Sequence, residues 1–343
     1  MSSRQQAYPI IDLHCDMTHY LTTVEGATPE DTDNIGCAIA YLRQGNVKLQ
    51  VMAISSVEPQ PDTAITRKQV DWYKKMLTDH GDTFAAVTNS ANLKQVMQSD
   101  KVGIVPAVEN ASALCGASDT LEDTFVLLNG IISECGRPLY ISLTHHRENR
   151  FGGGNMTDIG LKDDGRALLE YISGRKIAVD LSHTSDKLAR DIIDHIDARS
   201  LELPIIASHS NYRSVYEHAR NLPDELVEEI IRRRGLIGVN LLRAFLHPDN
   251  PAMLAEHVQY GLELGAKEAL CFGADYFCPK THPDQSRVPF YLDDHDNAGK
   301  YQKILQSLED ILSTEELEGL AYGNALAFFQ RNWGSAQDAA DSV

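Results

Sequence analysis

The chain has 343 residues, 43% of them hydrophobic, and its 49 acidic against 31 basic side chains give a formal net charge of −18. That length and apolar content can bury a large core, while the acidity argues against nucleic acid and anionic membrane surfaces as partners, since both favour basic patches. No apolar run reaches the roughly 18–20 residues that span a bilayer, the start MSSRQQAYPI lacks an apolar leader, and the end GSAQDAADSV lacks the hydrophobic stretch of a lipid-anchor signal.

Strand-like and helix-like stretches alternate along the sequence. Apolar, β-branched runs at 10–13, 49–55, 102–108, 139–143, 177–181, 205–208, 236–241 and 269–273 are each short enough for a buried parallel strand. Between most of them lie stretches with a 3.6-residue apolar period, at 66–80, 123–136, 164–174, 185–196 and 223–235. Ser185-Asp186 and Pro223-Asp224 are start signals, and Gly136, Gly174 and Gly235 are stop signals. Two further helices, 297–310 and 313–331, follow the last strand. Eight strands alternating with helices predict an α/β fold, a (β/α)8 TIM-type barrel with extra C-terminal helices. A doubly wound open sheet would carry a Gly-rich phosphate turn after its first strand; this first strand runs instead into His14 and Asp16. No linker, repeat or low-complexity tract divides the sequence. A single domain is therefore expected over 1–343, with its core at about 8–332 and a polar tail at 333–343. The six cysteines (Cys15, Cys37, Cys115, Cys135, Cys271 and Cys278) include no C-x-x-C pair, which reads as reduced thiols in a cytoplasm.

The chemistry lies in polar residues that end the apolar runs. His14 and Asp16 end the first, Glu109 the third, His145 and His146 the fourth, His183 the fifth, His209 the sixth and Asp275 the eighth. In a barrel these C-terminal ends converge on one mouth, where active sites lie. Imidazoles and carboxylates crowded there would repel or be desolvated without a cation, and a mixed nitrogen and oxygen set suits Zn2+ and similar divalent ions. The i, i+2 spacing of His14 and Asp16 puts both on one face of a strand. Taken singly, each residue has an ordinary explanation: a helix start for His183, a polar loop for His209, backbone hydrogen bonds for Glu109, a cap for Asp275. Five such coincidences at the same end of five strands favour the metal. Other features are weaker. FGGGN (151–155) lacks the lysine and following helix of a phosphate loop and reads as a flexible rim loop. The stretch 277–296 reads as a lid or rim. His19, His80, His195, His247 and His257 are expected to face solvent, and Cys15 to point away from the site.

Several of these stretches together resemble a known family. IDLHCDM (11–17), VPAVEN (105–110), YISLTHH (140–146), GLKDDGRALLEYISGRKIAVDLSHTS (160–185), IIASHSNYRSVYEHARNLPDE (205–225), GADYF (273–277) and GNALAFF (323–329) follow the order of the membrane (renal-type) dipeptidases, zinc peptidases among the metal-dependent hydrolases. The resemblance implies two Zn2+ per chain, with His14 and Asp16 on one ion, His183 and His209 on the other, and Glu109 bridging. It implies that His145 polarises the substrate carbonyl, that Arg220 binds the C-terminal carboxylate, and that Asp275 is the catalytic acid/base. The implied reaction is hydrolysis of dipeptides, including those with a D-residue at the C-terminal position, by a metal-bridging hydroxide. The resemblance is to soluble microbial members and admits a homodimer, although no stretch of the sequence marks an interface. Two other readings stay open: a same-fold metal-dependent hydrolase acting on another small amide, ester or lactam, and a non-catalytic binding protein that kept the fold. The presence of every proposed ligand and of Asp275 argues against the latter. HHRENRFGGGN (145–155) is unlike the animal enzymes and 277–296 is particular to this chain, and both bear on specificity more than on reaction type.

Overall fold

All eight apolar runs form strands, since buried parallel pairing is the way such runs satisfy their backbone groups. In the computed structural model, which describes residues 7–56, 62–116 and 118–334, the strands are β1 (Ile10–Cys15), β2 (Val47–Ser55), β3 (Phe84–Ala86), β4 (Val102–Glu109), β5 (Tyr140–Ser142), β6 (Ala178–Asp180), β7 (Ile205–Ile206), β8 (Ile237–Val239) and β9 (Leu270–Phe272). Only β3 escapes the sequence pattern. The order is β7-β6-β5-β4-β2-β1-β9-β8, all parallel, with β3 beside β4. A bridge between Ala207 and Ile237 joins the two ends of that order; Ala207 N–H donates to Leu236 O and Gly238 N–H to Ala207 O, each at 2.8 Å. The result is a nearly closed eight-stranded parallel barrel. Closure depends on glycine: a Cβ on Gly238 or Gly273 would lie 1.9 or 2.0 Å from Ser208 O. β3 and β5 share one edge of β4. Val87 N–H donates to Ile104 O below, and Leu139 N–H to Pro106 O above. Pro106 has no N–H to offer and falls where one partner strand gives way to the other.

The helices are α1 (Met17–Thr23), α2 (Ile39–Gln44), α3 (Thr63–Asp79), α4 (Ser90–Met97), α5 (Leu121–Cys135), α6 (Asp163–Ile172), α7 (Asp186–Arg199), α8 (Asp224–Arg232), α9 (Arg243–Leu246), α10 (Met253–Glu263), α11 (Tyr301–Leu308), α12 (Thr314–Glu318) and α13 (Asn324–Trp333). The expected signals operate. Ser185 Oγ caps α7 by accepting from Leu188 N–H, and α5 stops at Gly136, whose φ is +91°.

The barrel interior is an apolar cluster that includes Ile11, Leu13, Leu49, Val51, Val105, Ala107 and Cys271. Phe328, Phe329 and Trp333 of α13 belong to the same cluster. This helix lies against the starts of β8 and β9, where Asn324 donates to Leu270 O and Arg331 to Arg234 O. The added C-terminal helix thus plugs the end opposite the mouth. Packing continues through the buried Trp333; the rest of the expected polar tail, 335–343, lies outside the described residues. All six cysteines are free and buried. Among the described residues, no helix is long and apolar enough to cross a membrane. One expectation is corrected: His257 is fully buried, with Tyr212 N–H donating to its Nδ1 and its Nε2 3.1 Å from Leu246 O. The α10 face that carries it packs on α9, so both ring nitrogens serve the core. His19, His80, His195 and His247 are half-buried rather than exposed.

Candidate active site

A bulge aims the first ligand. Asp12 pairs with Gln50 and Cys15 with Met52, so β1 advances three residues against two of β2. Such an insertion breaks the in–out alternation of a strand. Leu13 faces the interior, and His14 faces it as well, its ring 3.8 Å from that of His209. Cys15 turns outward onto Met52, as expected. Asp16 lies one residue past β1, at the start of α1. The bulge, and not simple alternation, therefore brings His14 and Asp16 together. Glu109 is the last residue of β4, and His145, His183, His209 and Asp275 each stand three residues beyond β5, β6, β7 and β9. His183 and Asp275 have φ of +68° and +64°, and Asn110, after Glu109, has +65°. Left-handed backbone costs a non-glycine residue about 1–2 kcal/mol, and such strain concentrates at functional sites.

The ligand-type atoms converge. His183 Nε2 and His209 Nε2 are 3.0 Å apart, and lie 3.1 and 3.5 Å from Glu109 Oε1. His14 Nε2 lies 3.8 Å from the same oxygen, 3.7 Å from Asp275 Oδ1 and 4.0 Å from Asp16 Oδ2. It is buried and has no hydrogen-bond partner among the described residues. Two groups of ligand atoms therefore share Glu109: His14, Asp16 and Glu109, and Glu109, His183 and His209. Burial, then the charge of Asp275, pushes Glu109 up to about 8. Burial, then Asp16, pushes Asp275 up to about 8. Asp16 is raised well above the carboxylate range by burial and then by Glu109. Burial, then Arg220, pulls His14 down to about 3, and burial holds His145, His183 and His209 well below the usual imidazole range. Left to itself the site favours protonated acids beside neutral imidazoles. A divalent cation takes neutral imidazole and ionised carboxylate as ligands, so it relieves the crowding of acids. The stranded His14 nitrogen and the mixed donor set fit a zinc-type ion.

Around these residues lie the other sequence candidates. His145 stacks on His183, with ring centroids 4.2 Å apart. His146 is turned to Asn155, its Nδ1 3.0 Å from Asn155 Oδ1. The loop 151–155 is not a flexible rim: all five residues are buried, Gly154 bridges to Thr184, and Asn155 N–H donates to His183 O. A Cβ on Gly154 would lie 2.1 Å from His145 O, so the loop backbone runs directly against the two histidines. Arg220 is 3% exposed. It donates from Nη1 to Ser210 Oγ (2.7 Å) and from Nη2 to His209 O (2.9 Å), and among the described residues its Nε has no hydrogen-bond partner. Among the described residues no carboxylate pairs with it. The stretch 277–296 forms a rim with an exposed tip and a fixed base, where Tyr291 donates to the backbone oxygen of Asp275. Sequence reasoning missed Asn240, which donates to Asp275 Oδ2 at 2.9 Å, and Tyr140 and Ser208, which meet the far nitrogens of His14 and His209. Tyr140 opens β5 and Asn240 lies one residue past β8, so each sits in an apolar run whose pattern says that it is buried but not what it meets.

The profile of the membrane dipeptidases, peptidase family M19, matches residues 2–342. The chain belongs to this family. It is a metallo-dipeptidase, a hydrolase of peptide bonds, on a barrel that the solved family members share. An uncharacterised dipeptidase of Schizosaccharomyces pombe is 26% identical over 371 residues, covering 98% of this chain and 83% of that one. Dipeptidase verJ of Clonostachys rogersoniana is 25% identical over 297 residues, covering 78% of this chain and 72% of that one. Among solved structures, dipeptidase AC, an M19 metallopeptidase, gives a TM-score of 0.81 at 19% identity, covering 96% of this chain and 100% of that one. A metallopeptidase from Rhodobacter sphaeroides, liganded with a phosphinate mimic of the dipeptide L-Ala-D-Ala, gives 0.78 at 18% identity, covering 95% and 100%.

Proposed function

We propose that this M19 dipeptidase is a dinuclear zinc enzyme that cleaves free dipeptides, including those with a D-residue at the C-terminal position. The carrying observation is that two groups of ligand atoms share Glu109. His14 and Asp16 would hold one ion, His183 and His209 the other, and Glu109 both. When bound, such ions supply a water that gives up its proton near neutral pH, and the Lewis acidity that polarises a peptide carbonyl.

The chain's own side chains do the rest. Arg220, a buried cation without a carboxylate partner among the described residues, takes the substrate's C-terminal carboxylate in the charge-assisted geometry that guanidinium favours. That restricts substrates to very short peptides. His145, beside His183, donates to the carbonyl oxygen as negative charge develops there. Asp275, oriented by Asn240, accepts a proton as a carboxylate and passes it to the leaving amine. The D-residue extension is suggested by the L-Ala-D-Ala mimic held by the Rhodobacter relative. Six buried free thiols support a cytoplasmic setting.

The test is hydrolysis by zinc-loaded protein of L,L- and L,D-dipeptides, each beside its N-acyl and C-amide counterparts. Cleavage of the free dipeptides but not the C-amides is expected. Arg220→Ala should lower kcat/KM on free dipeptides by roughly 10- to 100-fold, the worth of a charged hydrogen bond. Failure on every dipeptide by protein carrying two ions would sink the proposal and leave a hydrolase of another small amide, ester or lactam.

A further inference from the structure

A metal-binding imidazole has a second nitrogen, and what that nitrogen meets fixes its tautomer and its basicity. The three metal-facing histidines differ here. His183 Nδ1 is buried without a hydrogen-bond partner among the described residues. His14 Nδ1 lies 2.6 Å from the Tyr140 hydroxyl, whose own proton goes to Leu13 O at 3.1 Å. His209 Nδ1 lies 2.6 Å from Ser208 Oγ, which donates to Asp180 Oδ2 at 2.6 Å. Ser208 has one proton and gives it to the carboxylate, so Oγ accepts from His209 Nδ1–H. His209 Nε2 is then left with its lone pair toward Glu109.

Asp180 is itself held. Its Oδ1 accepts from Ser208 N–H (2.7 Å) and Ser182 N–H (3.0 Å). Asp180, Ser182, Ser208 and His209 are all fully buried. Nothing in the reaction uses Asp180, yet a carboxylate at that depth is retained only where it is bonded.

We propose that Asp180, acting through Ser208, is a positioning group for His209 and sets the affinity of the ion that His183 and His209 share. The inference rests on the dinuclear reading. The two relays end differently. The one behind His209 ends on a carboxylate and makes that imidazole the stronger donor, whereas the one behind His14 ends on a neutral peptide carbonyl. Among the described residues His183 Nδ1 has no hydrogen-bond partner, so of the two imidazoles on that ion only His209 is backed by a carboxylate. Tyr140 does the corresponding work for the ion of His14 and Asp16.

The test is competitive titration of zinc into the full chain, stripped of metal, against a chromogenic chelator, which yields two binding constants. Ser208→Ala should weaken one of them by about 10- to 100-fold and leave the other within a few-fold. Tyr140→Phe should weaken the other constant instead. Asp180→Asn, which keeps the shape and removes the charge, should repeat the Ser208→Ala pattern and serves if Ser208→Ala does not fold. Wild-type protein that binds two ions beside variants that bind both as tightly, or lose both equally, would overturn the inference alone. Wild-type protein that binds fewer than two would overturn the dinuclear reading and this inference with it.

Discussion

Asp275 and Glu109 are two buried carboxyls at one mouth with different neighbours. Asp275 receives Asn240 and faces His14, whereas Glu109 faces His14, His183 and His209 together. Their amide variants should therefore fail differently. Asp275→Asn removes a proton acceptor from an intact site, so kcat should fall by roughly 10²- to 10⁴-fold while metal content stays that of the wild type. On the dinuclear proposal, Glu109→Gln takes the charge and one of the two oxygens from the ligand common to both groups, so metal content after gel filtration should fall below that of the Asp275→Asn protein. Equal metal content in the two variants would refute the bridging role. The same residues show what the sequence could and could not disclose. A charged residue closing an apolar strand is conspicuous, because burial demands a partner. Asn240 in LIGVNL, Tyr140 in LYISL and Ser208 in IIASH are not conspicuous. Their meaning lies in hydrogen bonds to residues 35, 126 and 28 positions away, and strand patterning carries no information about such partners.

The elements divide along the same physical line. The eight barrel strands were legible because a parallel strand buried on both faces must be an apolar run. β3 was not, being three residues on part of one edge of β4. Helices α5, α7 and α8 announce themselves by period and end signals. Helix α1 has no side-chain cap and no acidic first turn, and its residues are held by packing, as with Thr18 and Tyr20, which are buried. The loop 151–155 looked flexible because glycine usually means freedom; here its glycines mean proximity. A Cβ on Gly154 would meet His145 O at 2.1 Å, His146 C at 2.4 Å and Arg147 N at 2.7 Å. All three are backbone and cannot step aside. Gly154→Ala should therefore cost at least about 1–3 kcal/mol, the usual range for overpacking, and lower dipeptide kcat/KM by displacing His145. Gly130, inside α5, has nothing within 4 Å of its added Cβ. Gly130→Ala should leave activity unchanged and raise stability by about 0.5–1 kcal/mol. Thermal melts and assays of the pair separate a glycine needed for close approach from one that is merely tolerated. A Gly154→Ala protein that melts with the wild type would mean the loop can move off the histidines.

At the scale of the whole molecule, the barrel is plugged at one end by α13 and gathers buried acids at the other, and this couples folding to protons and metal. In the metal-free protein burial, and then a neighbouring carboxylate, pushes Glu109 and Asp275 up to about 8 from ordinary values of 4.5 and 3.8. Between those limits the folded chain keeps protons that the unfolded chain has lost. Stability contributed by these groups is full at low pH and drains away as pH rises toward 8, at up to about 1.4 kcal/mol per pH unit for each carboxyl. His14 runs the other way, since its folded value of about 3 lies below the ordinary 6.5. Its contribution grows with pH only up to about 6.5, so from pH 7 to 8 the slope comes from the raised carboxyls of the site, Asp16 with Glu109 and Asp275. Bound zinc expels those protons, and a ligand that binds only the folded state stabilises it by RT ln(1 + [L]/Kd). The metal-bound protein therefore lacks the downward slope that the metal-free protein shows. The gap in melting temperature between zinc-loaded and chelator-treated protein should widen steadily from pH 7 to pH 8. A constant or narrowing gap would mean that Glu109 and Asp275 are already ionised without metal, and that something other than a cation neutralises them in the folded chain.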